Sequence, residues 1–208
     1  MDTCTAAKNI QKHARGFLTR NKMISNKPIV SSYYQTKKWR NAQKWYKNGK
    51  SNECELFQRD LFENITFVKC AKSKFRINIS TYVLRENTCP MKYDDGFEWS
   101  EDFDGFFSHN EKDIFVNFKF VCGKGGAQTR TLRELYHFVC VQMKYLSTGA
   151  SSKPTYFLNI LDGDECFSNM EKFNYLLNKS IHQNVKKNIF VGDMHTFQKY
   201  WSNMNSVI

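Results

Sequence analysis

Asp104 and the triplet Asn117-Phe118-Lys119 are the residues of this chain whose types and spacing suit chemistry on a phosphate ester. A carboxylate and an amide oxygen can hold a hard divalent cation, and an ammonium beside them can position water or offset developing charge. A strand would carry the second group. In "IFVNFKFV", residues 114–121, side chains alternate: Ile114, Val116, Phe118 and Phe120 share one face, and Phe115, Asn117, Lys119 and Val121 the other. Asn117 and Lys119 are costly to bury without partners, so a strand that presents both calls for a reason. If the polar bend "SHNEKD" pairs Phe107 with Ile114, Asp104 falls directly opposite Asn117. Directly paired Cβ atoms lie about 5 Å apart, so Asp104, Asn117 and Lys119 are expected to converge on one face.

The elements needed to hold that face can be read on either side of it. Asn52 and Glu55 form a capping box that opens a helix through "CELFQRDLFENI". "FRINISTYVL" has strand composition, "ENTCPMKYDDG" is a turn region, and a second strand passes through "EDFDGFF". Beyond the glycines at 125 and 126, Leu132, Leu135, Val139, Met143 and Leu146 recur at helical spacing and predict a helix over 131–146. "PTYFLNIL" and "NIFVG" read as strands, and "SNMEKFNYLLN" and "MHTFQKYW" as helices. A hairpin early and alternation later predict an α/β domain over 51–208, with a mixed sheet between helices in three layers.

With Asp104-Gly105 on one strand and Asn117-Phe118-Lys119 on the next, the pattern resembles the PD-(D/E)XK nuclease superfamily, and more closely the type II restriction endonucleases. "GGAQTRTLRE", residues 125–134, resembles the turn and helix that follow the catalytic strand in some of them. The resemblance implies a restriction-endonuclease-like core and a metal-dependent hydrolase that cuts DNA phosphodiester bonds. It implies Mg2+ or Mn2+ held by Asp104, the Phe118 carbonyl and Asn117, with Lys119 positioning the attacking water. Gly125, Gly126, Gln128, Arg130 and Arg133 would contact double-stranded DNA, and enzymes of this kind usually work as homodimers. The departure from the pattern is Asn117, a neutral amide where the family has an acid. Another carboxylate would have to help, with Glu101, Asp102, Glu53 and Glu55 as the candidates, and Asp95-Gly96 is an alternative first acid. The competing reading is a non-catalytic adaptor that binds nucleic acid or a calmodulin-like protein on a degenerate nuclease fold.

The formal net charge of +11 sits in the first 50 residues, which hold twelve Lys or Arg against Asp2, while nineteen basic and nineteen acidic side chains balance over the rest. A helical basic arm over 1–50, suited to a polyanion, thus precedes a neutral domain. Within the arm, Ile10, Gln11, Arg15, Gly16 and Arg20 in "IQKHARGFLTR" resemble the IQ motif gripped by calmodulin and its relatives. Ile10, Ala14, Phe17 and Leu18 would form the apolar stripe, for such a partner or for this protein's own core. Trp39 and Trp45 among Lys37, Lys38, Arg40 and Lys44 suit either phosphates and bases or a core-facing helix.

Other chemistry finds less support. Seven scattered cysteines with no C-x-x-C pair suggest a reducing intracellular compartment, cytoplasmic or nuclear. Cys122, His137 and Cys140 lack the paired spacing of zinc ligands. "GKGG" is not a phosphate loop, and "DGDE", residues 162–165, reads as an acidic turn before a helix. No apolar run approaches the length of a membrane span.

Overall fold

The computed structural model of the chain describes residues 53–86, 98–149, 151–179, 181 and 183–205. The IQ-like segment, the aromatic basic segment, Asn52 and the turn holding Pro90 and Asp95 lie outside the described residues.

Helix α1 (Glu53–Thr66) begins with Glu53 and Glu55 in its first turn, the sign that a helix N-terminus favours. Its buried stripe holds Phe57, Leu61 and Phe62, with Gln58 among them. Strands β1 (Phe75–Ile77) and β2 (Leu84–Glu86) then form a separate two-stranded hairpin, where composition alone suggests a single strand. Asn78 reverses the chain there. Its Oδ1 accepts the Ser80 and Thr81 N–H groups at 2.9 and 2.7 Å, an Asx turn inside the apolar run.

The main sheet has the order β3 (Gly105–His109), β4 (Lys112–Phe120), β5 (Thr155–Asp162), β6 (Ile189–Gly192). Strands β3 and β4 are antiparallel with Phe107 paired to Ile114, the expected register, while β4–β5 and β5–β6 are parallel. The bend between β3 and β4 is tighter than "SHNEKD" suggests. Ser108 and His109 pair with Asp113 and Lys112, so only Asn110 and Glu111 turn, both with positive φ, as a two-residue hairpin loop requires.

Parallel pairing needs crossovers, here α2 (Gly126–Thr148) and the pair α3 (Asp164–Ser168) and α4 (Met170–Leu177). Helix α2 starts five residues before the first residue that periodicity predicts, because Gly126–Arg130 are exposed and carry no apolar signal. The helix expected through "SNMEKFNYLLN" is α4, and the short helix α3 precedes it where the sequence reads as an acidic turn. Helix α5 (Met194–Asn205) follows β6.

Helices α1 and α5 cover one face of the sheet through Phe62, Ile114, Phe118, Ile160 and Phe197. Helices α2 and α4 cover the other through Phe115, Leu135, Val139, Phe157 and Phe173, with Ile77 of the small hairpin alongside. The result is a mixed α/β fold in three layers. Phe62 stacks on Phe197 at 4.9 Å on the first face, and Phe103 on Phe157 at 5.4 Å on the second. Strand β5 is buried over nearly its whole length, which is why its apolar residues fall on both faces rather than alternating with exposed polar ones. Among the described residues no helix is long and apolar enough to cross a membrane.

Candidate functional site

Asp104 immediately precedes β3, one step beyond the Gly105–Val116 pair, so the register continues to set it against Asn117. At that point the Asp104 side chain takes a place in the ladder: its Oδ2 accepts the Phe118 N–H at 2.7 Å. Arg59 of α1 fixes the same corner. Its guanidinium donates to the carbonyls of Asp104 and Cys70 at 2.5 and 2.6 Å and meets Glu55 Oε1 at 3.2 Å. Gly105 is required by this close approach, since a Cβ there would stand 2.1 Å from Cys70 Sγ.

Burial pushes the Asp104 carboxyl up to about 6, against the pull of Lys119 and of the Phe118 N–H, with Glu55 adding to the rise and Arg59 opposing it. Its other oxygen, Oδ1, accepts no hydrogen bond from another described residue. Lys119 Nζ lies 3.3 Å from the exposed Glu101 carboxylate. Glu55, Glu101, Asp104, Arg59 and Lys119 therefore form one charged corner. Asp102 belongs elsewhere, paired with Arg76 of the small hairpin.

Asn117 is drawn out of this corner. It is 2% exposed, and its amide donates to Asn159 Oδ1 at 3.4 Å. Asn159 exchanges two hydrogen bonds with Gln142 of α2, at 3.1 and 2.8 Å, and donates to the Phe190 carbonyl. The strand register aligns Asn117 with Asp104, as the sequence suggests, while a buried amide triad holds its side chain. Such a triad satisfies polar groups that would otherwise be costly inside a core.

A second carboxylate is prominent in the structure and inconspicuous in the sequence. Asp162, expected in an ordinary acidic turn, ends β5 at 1% exposure. Its oxygens accept from Gln58 Nε2 at 2.7 Å and from the Met194 N–H at the start of α5 at 3.1 Å. Burial pushes this carboxyl up to about 7, the two donors opposing and Asp193 adding to the rise. Gln58 Nε2 also reaches the Lys119 and Ile160 carbonyls at 3.2 and 3.4 Å, and among the described residues Gln58 Oε1 is the buried side-chain polar atom without a partner. The available signal was Gln58 itself, a polar residue set in the apolar stripe of its helix.

The remaining expected residues surround the start of α2. Gly125 is its N-cap, in extended conformation and without a side-chain cap, and Gln128 folds back so closely that a Cβ on Gly125 would stand 2.6 Å from Gln128 Oε1. Gly126 faces open space. Arg130 and Arg133 are exposed, and their side chains make no hydrogen bond or ion pair with another described residue. Cys122 and Cys140 form no disulfide among the described residues. Among the described residues no group of three or more His, Cys, Asp or Glu gathers as a metal site.

Chemically, the corner offers a desolvated carboxylate, a second carboxylate close enough to affect it, and an ammonium on the same strand end. Comparison with models of protein families, with curated proteins and with solved structures found no match.

Proposed function

We propose that the chain is a metal-dependent DNA endonuclease, a restriction-like hydrolase of the PD-(D/E)XK type. The observation that carries this reading is the hydrogen bond from the Phe118 N–H to Asp104 Oδ2, which fastens the acid to the middle residue of the triplet that ends in Lys119. The helix, hairpin, helix, strand order and the mixed sheet covered on both faces support a restriction-endonuclease-like core.

The donor chemistry suits Mg2+ or Mn2+. The N–H and C=O of one strand residue leave on the same side, so the Phe118 carbonyl faces the edge that Asp104 occupies. Asp104, this carbonyl and Glu55 would hold the ion, and Mg2+ characteristically takes its other ligands from water and substrate phosphate. Asn117, engaged in its amide triad, would support the strand rather than the ion. When bound, the ion supplies Lewis acidity toward the phosphoryl oxygen.

Lys119, once parted from Glu101, would orient the attacking water and offset charge on the phosphoryl group as the water oxygen bonds to phosphorus and gives its proton to solvent, while the ester oxygen leaves and takes a proton from solvent. The uncapped first turn of α2, with Arg130 and Arg133, receives neighbouring phosphates. A homodimer would cut both strands, and the basic arm would add DNA contacts or, through Ile10–Arg20, a calmodulin-like partner.

One observation favours a second reading, a nucleic-acid-binding protein that does not cut: a neutral side chain stands at position 117 and is committed to the core. Supercoiled plasmid incubated with Mg2+ or Mn2+ separates the two. The nuclease reading expects nicked or linear product from the wild type and about 100-fold less from Lys119→Ala with DNA binding retained. Intact plasmid from folded wild type under both ions would leave the binding protein.

A further inference from the structure

Helix α1 stops in an unfavourable way. Phe67, the residue after Thr66, donates its N–H to the Glu63 carbonyl at 2.9 Å and takes a left-handed backbone with φ 56°. Glycine or asparagine fits such a helix end, whereas a side chain branching into a bulky ring is strained there. Its ring is also 93% exposed. Among the described residues neither the backbone nor the core gains from phenylalanine at this position, and a locally disfavoured residue held on a fixed frame points to a contact made beyond them.

The surroundings narrow what that contact is. Lys69, Lys72 and Lys74 follow on the same loop, all exposed and without an ion pair to another described residue. The adjacent acid, Glu63, is occupied, its carboxylate accepting the Cys70 N–H at 3.0 Å, and Val68 packs against the core. The neighbours of the ring along the chain are thus cations rather than an apolar surface. The loop is held in place by the Phe106 N–H donating to the Ala71 carbonyl at 3.0 Å. Arg59 holds the Cys70 carbonyl of this loop and the Asp104 carbonyl together.

We propose that Phe67 is a base-stacking residue, whose ring lies against an unstacked base of bound DNA while Lys69, Lys72 and Lys74 engage the flanking phosphates. An aromatic ring among lysines matches the alternation of π-face and phosphate along an opened strand. The inference rests on the nucleic-acid reading above and adds a substrate class, DNA with a base freed from its stack. That base is supplied either by a single strand or by an opened step in a duplex.

The test is fluorescence anisotropy of the full chain in EDTA, where binding is read without cleavage. The probes are a labelled single strand, a duplex with an unpaired bubble and a perfect duplex. Phe67→Asn suits the left-handed backbone, so the variant is expected to fold with unchanged or higher melting temperature and to lose affinity about 10-fold or more. Phe67→Trp is expected to retain it. Loss on the single strand and bubble alone identifies an already open base, and loss on the perfect duplex as well identifies a step opened by the protein. Equal affinities of Phe67→Asn and wild type for all three probes, or no binding by the wild type, overturn the proposal. So does Phe67-dependent binding to anionic vesicles with no such dependence on DNA. Lys119-dependent plasmid cleavage without any effect of Phe67 would sink this inference alone, and Phe67-dependent binding without cleavage would sink only the nuclease.

Discussion

Asp104 and Asp162 each stand at the end of a strand, each accept a backbone N–H from another element, and each lie beside α1. Burial raises both carboxyls, to about 6 and about 7. Their neighbours differ. Asp104 has Lys119 and Arg59 acting on its charge, whereas Asp162 has an amide, a helix N-terminus and a second acid. A carboxylate among cations with an oxygen to spare can exchange partners with a ligand. One whose oxygens are taken by α1 and α5 works as a clamp between elements.

The largest expected effect breaks that comparison by function. Asp104→Asn should reduce metal-dependent plasmid cleavage by about 1000-fold, the scale of a lost metal ligand, with Asp162→Asn remaining within a few-fold of wild type. Because the ionised form of Asp104 would bind the cation, wild-type cleavage should fall as pH drops through about 6. Equal losses in the two variants would remove the functional distinction between the two carboxylates.

Asp162 sharpens the comparison by stability. Its carboxyl is raised from 3.8 to about 7, so the folded state holds its proton over a range in which the unfolded chain has released it. This contribution is fully present below about pH 4 and is lost as pH rises toward 7, with an upper limit near 4 kcal/mol. Urea denaturation of wild type and Asp162→Asn at several pH values should show a difference that grows across this window in favour of the variant. A constant difference would refute the assignment.

Asn117→Asp tests which side of the comparison position 117 belongs to. A carboxylate facing Asn159 Oδ1 replaces a donor by an acceptor in a buried triad, at a cost of about 1–3 kcal/mol. Thermal unfolding should register that loss without any gain in cleavage. A variant that cuts faster would return position 117 to the metal site. Glu101→Gln, which removes an exposed ion pair from Lys119, should change stability by less than about 0.5 kcal/mol, readable by the same denaturation.

The legible parts of this fold were those written in local periodicity. The β3–β4 register followed from alternation and one polar bend, and the element order followed from apolar spacing. Lys119 and Asp104 were recognisable because an acid and a lysine stood out on an otherwise apolar hairpin. Asn117 was placed on the correct strand position, but its partner Asn159 lies 42 residues away, Gln142, which bonds Asn159, stands on a separate helix, and nothing local connects the three amides. Asp162 was obscure for the same reason, since its burial is created by α1 and α5 closing over the end of β5. Asn78 divided an element through a side-chain turn that apolar counting does not register.

Helix α1 precedes every described strand, yet its polar anchors reach far forward. Gln58 meets Lys119, Ile160 and Asp162, up to 104 residues downstream. At synthesis rates of about 5–20 residues per second, the helix leaves the ribosome some 5–20 seconds before its last partner exists. Contacts of such long sequence separation also form late in refolding, because loop closure must come first. Arg59 and the Gln58 contact with the Lys119 carbonyl tie α1 to the corner around Asp104 and Lys119 before β5 exists, whereas the clamp from Gln58 to Asp162 closes only when β5 has joined the sheet.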